Sequence, residues 1–245
     1  MTESAAAPGG DAEPSRAGSL PLVAGGLALD FANTASGRGG ERHLDNLRSS
    51  ADVVAFARRA GVLDAASQAR LIEKIAANDR AFRSFLGDAL SLREAVHRIA
   101  VAVARRTAPD REDLSLLSAR CAAALAKATL EMGSEGARWR WPMTEPIPET
   151  VLGPIALSAV GLLREGDPKR LRQCPGEHCG WVFFDMTRNG SRRWCTMEAC
   201  GNRAKAKAHY RRHRSRTEDV GEAAGARPVM TTSGAGSAGT ARGEA

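Results

Sequence analysis

Four of the five cysteines form two pairs with the same spacing, and these pairs constrain the fold more than any other feature. Four residues separate the cysteines of each pair, a glycine follows each pair, and about fifteen residues lie between the pairs. Two such pairs can surround one metal ion as a tetrahedron, the geometry of structural zinc sites. A segment of about forty-five residues needs such a staple, because its apolar core is too small. The pattern predicts one structural zinc ion bound by Cys174, Cys179, Cys195 and Cys200.

Three other interpretations of these cysteines are open. A disulfide framework would suit a secreted chain, but Gly25 and Gly26 interrupt the apolar run near residue 20 and acidic residues precede it, unlike an export signal. We therefore expect a reducing, cytoplasmic location. A redox dithiol usually has two residues between its cysteines, and here there are four. His178 could replace one sulfur, although four cysteines already complete a tetrahedron.

The segment around the second pair is predicted to be a hairpin followed by a helix. Residues 181–184 are typical of a short strand, Asn189 and Gly190 form a tight-turn dipeptide, and residues 192–194 return toward Cys195. After Cys200, alanines favour a helix that Asn202 is placed to cap.

Positive charge is concentrated in this part of the chain. Residues 169–216 contain thirteen lysines and arginines and three acidic residues, a formal charge of +10, whereas the whole chain carries +7. The predicted helix has few apolar residues, so its cations must face water or a polyanion. Such localised charge is typical of nucleic-acid binding. The predicted contacts are Arg192, Arg193, Asn202, Arg203, Lys205, Lys207, Arg211, Arg212 and Arg214.

Two motifs carry a resemblance to a known bacterial family. Cys200-Gly201-Asn202-Arg203, with residues 189–195 before it, resembles the CGNR zinc finger. Residues 25–34, Gly-Gly-Leu-Ala-Leu-Asp-Phe-Ala-Asn-Thr, resemble the opening of the ABATE domain, which precedes that finger in a family named for stress-induced transcription regulation. The resemblance covers roughly residues 20 to 215. It implies that the four paired cysteines bind zinc and that the protein binds DNA.

The chain is predicted to be α+β. We expect a predominantly helical, ABATE-like regulatory domain over residues 20–166 with a small β-hairpin or sheet. A treble-clef or ribbon-like zinc finger with a basic helix is expected to follow over residues 169–216. Residues 1–19 and 217–245 contain few large apolar groups and are predicted to be disordered tails. No stretch approaches the length of a membrane span.

Helix signals recur through the N-terminal region. Ser49 and Asp52 form a capping-box pattern, and Asp64 and Asp110 are placed to cap further helices. Apolar residues from 71 to 86 continue one helical face, and an apolar helix is expected over residues 155–163. Cys121 falls on a buried stripe, where it acts as a small core residue.

Two strands and several polar side chains complete the prediction. Leu27, Leu29 and Phe31 alternate with smaller or polar residues, which predicts a buried strand that residues 137–141 could pair with. Asp30 and Asn33 either line a ligand pocket or, as is common for such residues, turn the chain at the end of the strand. His97 and its charged neighbours are predicted to lie on a solvated helix face.

These features favour a DNA-binding transcription regulator in which structural zinc positions the basic helix and the N-terminal domain senses a signal or mediates assembly. One alternative is an RNA- or ribosome-associated protein with aromatic side chains stacked on bases. Another is an N-terminal domain that binds a small ligand or is enzymatic. We predict no enzyme, because no catalytic residue set or phosphate loop is recognised. A homodimer and a small-molecule effector remain open. The aromatic candidates are Trp181, Phe183, Phe184, Trp194 and Tyr210.

Overall fold

The computed structural model describes residues 15–38, 40–134 and 136–211. Helices α1 to α6 span Leu27–Ala32, Ser50–Arg59, Ala65–Ala76, Phe85–Ala104, Arg111–Leu125 and Pro148–Glu165. Strands β1 to β6 span Ala35–Ser36, Leu44–Asp45, Thr129–Gly133, Gly136–Arg140, Leu171–Gln173 and Val182–Phe184. Within these ranges each consecutive pair of strands forms a two-stranded antiparallel sheet. The predicted fold class, mainly helical with small sheets, is confirmed.

The chain divides into two compact units. The first extends to Asn202 and the second begins at Arg203. In the first unit the long helix α4 packs against α1, α5 and α6 and also against strand β5. In the second unit residues 203–211 are helical. Residues 15–19 of the predicted N-terminal tail are ordered, because Arg16–Ser19 form a 3-10 helix and Ala17 is fully buried. The rest of both predicted tails lies outside the described residues, and the predicted domain division at residues 166–169 stays a prediction.

Local capping fixes where several helices begin, as the sequence predicted. The Ser49 hydroxyl accepts from the N–H of Asp52, and the Asp52 carboxylate accepts from the N–H of Ser49. The Asp64 carboxylate accepts from Ser67 N–H at the start of α3, and Asp110 caps α5. These bonds satisfy N–H groups that the helices themselves leave without partners.

One continuous apolar core extends from the helices to the last two strands. Phe31, Phe56 and Phe85 are fully buried in the helical part, and Val182 and Phe183 of β6 belong to the same cluster. Each fully buried side chain of this size contributes about 1.5–3 kcal/mol relative to an exposed one. The cysteine region therefore shares the apolar stabilisation of the helical region.

The predicted strand over Leu27–Phe31 is wrong, because this segment is helix α1. Ala28 and Ala32 are buried together with Leu29 and Phe31. These four residues, at positions i, i+1, i+3 and i+4, form one buried helical face. The prediction used only the large residues, which alternate along the chain, and did not count the alanines that fill the rest of this face.

Two helix boundaries also differ from prediction. The apolar face over residues 71–86 is not one helix, because α3 ends at Ala76 and Asn78 has a left-handed φ of 54°. Helix α6 begins at Pro148, seven residues before the predicted start, and places Pro154 inside the helix. The side chain of Thr150 accepts from the N–H of Ile147 and so supports this earlier start.

The predicted strand near residue 139 is confirmed, but its partner differs. It is β4, which pairs with β3 and aligns Leu130 with Trp139. The hairpin is held at its base by Trp141, whose indole Nε1 donates to the Ala124 carbonyl at 2.9 Å. A Cβ on Gly153 would lie 2.7 Å from the Trp141 ring, so glycine leaves room for the ring against α6.

Candidate metal centre and nucleic-acid surface

Cys174, Cys179, Cys195 and Cys200 converge at one buried point. Their sulfurs all lie within 4.8 Å of one another. The Cys195 sulfur is 3.6 Å from the sulfurs of both Cys179 and Cys200. Zinc–sulfur bonds of about 2.3 Å in a tetrahedron require sulfur separations of about 3.8 Å. The four thiols therefore fit one structural zinc ion, as predicted.

The backbone around the cluster is shaped to its sulfurs. The N–H of Cys195 donates to the Cys174 sulfur at 3.3 Å. Gly176 approaches so closely that a Cβ there would lie 2.7 Å from the Cys200 sulfur. Gly180 has a φ of 70°, a left-handed conformation that glycine adopts without strain. The Cys-x4-Cys-Gly spacing thus produces a turn that both presents and surrounds the sulfurs.

The pKa values of the clustered cysteine thiols also favour a bound cation. A hydrogen bond from Cys179 lowers the pKa of Cys174 to about 2. The same contact raises the pKa of Cys179 to about 12, and the bond with Cys174 raises the pKa of Cys195 as well. Without a cation the buried sulfurs would ionise only in part, since like charges at this distance repel. A divalent ion stabilises all four thiolates together.

The alternative interpretations of the cysteines do not fit this geometry. All five cysteines are free thiols. His178 is exposed, has a left-handed φ of 60° and lies 4.0 Å from the Glu177 carboxylate. The ligand cluster consists of the four cysteines, so His178 is not required. Cys121 is a separate buried residue on α5, as predicted.

The hairpin predicted between the cysteine pairs has a different strand pairing. Strand β6 is present, but its partner is β5, which precedes Cys174. Residues 192–194 are not a strand. Instead, the buried Asp185 carboxylate accepts from Thr187 N–H and hydroxyl and from Arg192 N–H. These bonds close the loop around Asn189 and Gly190. The Asp185 carboxylate therefore holds the loop that a second strand was expected to hold.

Residues within and just before the predicted N-terminal motif bond directly to strand β6. The Asn33 side-chain amide donates to the Val182 carbonyl at 2.8 Å, and its oxygen accepts from Val182 N–H at 2.9 Å. The N–H of Phe184 donates to the Ala24 carbonyl at 2.7 Å. Asn33 therefore satisfies β6 as a neighbouring strand would.

Asp30 has a local role in the same motif. Its carboxylate accepts from Ala24 N–H at 2.9 Å. Burial raises the pKa of Asp30, and the N–H groups of Ala24 and Val23 oppose that rise. Neither residue turns the end of a strand, because the segment is helix α1: Asp30 bonds to the backbone just before the helix, and Asn33 bonds to a strand 149 residues away. The ligand-pocket alternative stays a prediction.

The predicted solvated face around His97 is wrong. His97 is 7% exposed and its Nε2 lies 2.9 Å from the Gly180 carbonyl, next to a zinc ligand. Burial lowers the pKa of His97 to about 4, so the ring is neutral and Nε2 is the donor. Arg93 is also buried and forms a bidentate bond with Asp45. His97 is thus covered at Gly180 and Arg93 by Asp45 of β2, whereas Arg98 of the same polar group is exposed, as predicted.

The two neighbouring arginines of the predicted nucleic-acid set have different environments. The Arg192 guanidinium donates to the carbonyls of Val23, Trp194 and Cys195. It also stacks on the Phe183 ring at 4.3 Å. Arg193 is exposed, with its guanidinium 5.8 Å from the centroid of the Trp194 ring. The donors of Arg192 are engaged within the finger, whereas Arg193 faces solvent.

Asn202 does not cap the helix that follows, which corrects the prediction. A short π-helical turn over Met197–Gly201 begins earlier, and the Thr196 hydroxyl caps it by accepting from Ala199 N–H at 3.1 Å. The Asn202 amide donates to the Glu198 carbonyl instead. Thr196 followed by acidic Glu198 was the sequence signal for this start.

The remaining predicted contacts lie in the second unit. The basic side chains of residues 203–211 that the prediction named are exposed, whereas Ala204 and Ala208 are half-buried. This pattern matches the expectation that the helix has few apolar residues to bury. Arg212 and Arg214 lie outside the described residues. The exposed members of the set in this unit are Arg203, Lys205, Lys207 and Arg211.

Comparison with protein families tests the resemblance. A family model described as "Putative stress-induced transcription regulator", ABATE, matches residues 25–166, more than half of the chain. The chain belongs to the ABATE family. In this ABATE protein a second model, the CGNR zinc finger, matches residues 170–213. The predicted architecture is therefore confirmed. No curated protein matches the chain.

Two further findings bear on the class of protein. Neither family description names a catalytic activity. In the part of the chain that the structure describes, no helix combines the length and apolar character needed to cross a bilayer.

Proposed function

We propose that this ABATE protein is a cytoplasmic, DNA-binding transcription regulator and not an enzyme. One zinc ion holds the CGNR finger, and the basic residues of the finger and of the following helix contact the nucleic-acid backbone. The observation that carries the proposal is the buried four-sulfur cluster immediately before a run of exposed cations. Four sulfur ligands complete the coordination of zinc, which suits a structural role and not a catalytic one.

The proposed contacts are mainly electrostatic. Arg203, Lys205, Lys207 and Arg211 are exposed on one short helix, and Arg193 is exposed beside the metal cluster. Such side chains bind phosphates, and arginines that reach a major groove can also bind guanine edges. The engaged donors of Arg192 favour a structural role for that residue. Arg212 and Arg214 keep their predicted role as further phosphate contacts.

A salt titration tests the DNA proposal. Full-length, zinc-loaded protein is titrated onto a labelled duplex at several salt concentrations, and fluorescence anisotropy gives the dissociation constant. About six phosphate contacts predict a slope of about −5 for log affinity against log salt. The double variant Lys205→Gln/Arg211→Gln should make the slope less steep by about two. Arg83→Gln/Lys127→Gln, the same charge change at exposed sites elsewhere, is the control. Affinity indifferent to salt, or equal losses in both variants, contradicts the proposal.

RNA is the second candidate partner, and one observation favours it. Tyr210 is 76% exposed and could stack on an unpaired base. Phe183, by contrast, is fully buried and covers the core. Competition between duplex DNA and single-stranded RNA of equal length decides the partner. Preference for RNA that Tyr210→Ala abolishes would favour the RNA alternative.

The helical domain is proposed to sense a signal or to mediate assembly, as a homodimer or with an effector. The contacts of Asn33 and His97 with the finger support such coupling, because a change in the helices would alter bonds beside the metal ligands. A thermal-shift screen of metabolites against the full chain tests sensing, since a ligand of the native state raises the melting temperature. Sedimentation tests assembly.

A further inference from the structure

An open, basic groove lies where the end of helix α4 meets the finger. It has a volume of about 360 Å³. Three arginines line it, no acidic residue does, and both the helical region and the finger contribute. The lining residues are Ala104, Arg105, Arg172, Gln173, Pro175 and Arg193.

Neutral hydrogen-bond partners orient Arg105 and Arg172 at the groove. One Nη of Arg105 donates to the Gln173 side-chain oxygen at 3.0 Å. Arg172 donates through Nη2 to the Gly190 carbonyl, and its buried Nε faces the Asp185 carboxylate and not the open groove. Gln173 thus orients Arg105 without neutralising its charge, and a planar guanidinium suits phosphate oxygens.

The carboxylate nearest to the groove balances the charge of Arg172 only. Asp185 is fully buried and lies 3.6 Å from Arg172 Nε, so these two side chains form an ion pair. Arg105 and Arg193 are exposed and have no carboxylate among the lining residues. The net positive charge of the groove therefore comes from Arg105 and Arg193, and these two cations around one open space favour an anion there.

We propose that this groove binds a phosphate of the nucleic-acid backbone, so that Arg105 of the ABATE domain contacts the same nucleic acid as the CGNR finger. The inference rests on the proposed function and extends the binding surface beyond the finger. A backbone phosphate is favoured over a small phosphorylated metabolite because the groove is open and no aromatic side chain lines it. Metabolite sites are usually more enclosed and more apolar.

The test compares the two ends of one helix. Arg105→Gln removes the groove charge at the C-terminal end of α4. Arg83→Gln makes the same change just before its N-terminal end, about 30 Å away along a helix of this length. Duplex binding is measured by anisotropy at several salt concentrations, with zinc content and circular dichroism as folding controls. Arg105→Gln should weaken binding roughly fivefold to tenfold at 0.1 M salt and make the salt slope less steep by about 0.9.

Two further variants separate charge from packing. Arg105→Lys keeps the cation and should retain most of the salt slope although it changes the bond to Gln173. Arg193→Gln should weaken binding about as much as Arg105→Gln, because both arginines line the groove. If Arg105→Gln binds like Arg83→Gln while Arg193→Gln is weaker, the finger contacts nucleic acid and the groove inference is wrong.

The remaining outcomes are also decisive. A wild-type protein that binds no nucleic acid would overturn the proposed function together with this inference. Inorganic pyrophosphate serves as a probe for a free phosphate ligand, measured as a shift in melting temperature. A shift in the wild type that Arg105→Gln abolishes, with unchanged duplex binding, would assign the groove to a small phosphate compound and overturn the backbone assignment.

Discussion

Two sheets of this protein both contain bulky apolar residues and have opposite environments. The β3–β4 hairpin and the β5–β6 sheet each place bulky apolar residues next to arginines in two short antiparallel strands. In β3–β4, Met132 is 82% exposed, and Leu130 and Trp139 are also exposed. In β6, Val182 and Phe183 are fully buried. The presence of bulky apolar residues alone therefore does not decide whether a strand is buried here.

The difference lies in what bonds to the free edge of each sheet. Backbone groups of β6 bond to the Asn33 side chain and to the Ala24 carbonyl. The β3–β4 hairpin is anchored mainly through Trp141 at its base. The residues of β3 and β4 are mostly exposed, so their free backbone groups are accessible to solvent. A strand enters the core only when its polar backbone groups find partners there, because unpaired buried groups are costly.

Loss of the metal should have the largest effect on the difference between the two sheets, because it should destabilise the buried β5–β6 sheet. Cys195→Ser removes one ligand, so we expect loss of the zinc ion and unfolding of the β5–β6 region. Metal binding in small zinc domains contributes about 10–16 kcal/mol. Zinc stoichiometry and thermal unfolding measure the effect. Cys121→Ser, at a buried cysteine outside the cluster, should retain full zinc content; equal zinc loss in both variants would contradict the assigned ligands.

Asn33→Ala should cause the next largest loss in the free energy of unfolding. It leaves both the N–H and the carbonyl of Val182 without partners in the core, which costs about 1–3 kcal/mol for each group. Urea unfolding measures the loss in the free energy of unfolding. Asn189→Ala, in the exposed loop of the finger, is the control. A loss below about 1 kcal/mol would mean that β6 does not depend on this side chain.

Arg192 and Arg193 should separate stability from binding. Arg192→Ala removes bonds to three carbonyls and the contact with Phe183, so we expect a loss of about 1–3 kcal/mol. Arg193→Ala should change the free energy of unfolding by less than about 0.5 kcal/mol, because its side chain is exposed. Equal destabilisation of the two variants would contradict a role in stability that Arg192 has and Arg193 lacks.

The buried His97 predicts a pH dependence of stability. Its pKa is about 4 in the folded protein and about 6.5 when unfolded, so the unfolded chain binds the proton first as pH falls. The free energy of unfolding should therefore fall by about 1 kcal/mol between pH 6.5 and pH 5.5. His97→Gln should show a smaller fall in urea unfolding, while losses from cysteine protonation are common to both proteins. Identical pH profiles would contradict a neutral, buried His97.

The smallest effect is expected in the exposed hairpin. Trp139→Ser replaces a partly exposed side chain that lies outside the core. The free energy of unfolding should change by less than about 0.5 kcal/mol. A loss as large as that of Asn33→Ala would show that the hairpin is integrated into the core as firmly as β6.

The sequence predicted those features whose causes are close in the chain. The four ligands, the caps at Ser49, Asp64 and Asp110, and the buried Cys121 all follow from spacing over a few residues. The contacts of Asn33 with Val182 and of His97 with Gly180 could not be predicted, because 149 and 83 residues separate the partners. The α1 strand prediction failed because alanine was not counted among core residues.

The finger of this protein depends on contacts with the helical region, so it is not an independent module. Moving residues 170–213 into another protein would leave behind the carbonyl of Ala24, the amide of Asn33 and the imidazole of His97. The graft would then present bare backbone groups and Phe183 to water. Successful transplantation would need to carry residues 23–37 and the matching face of α4, or a recipient surface that reproduces them.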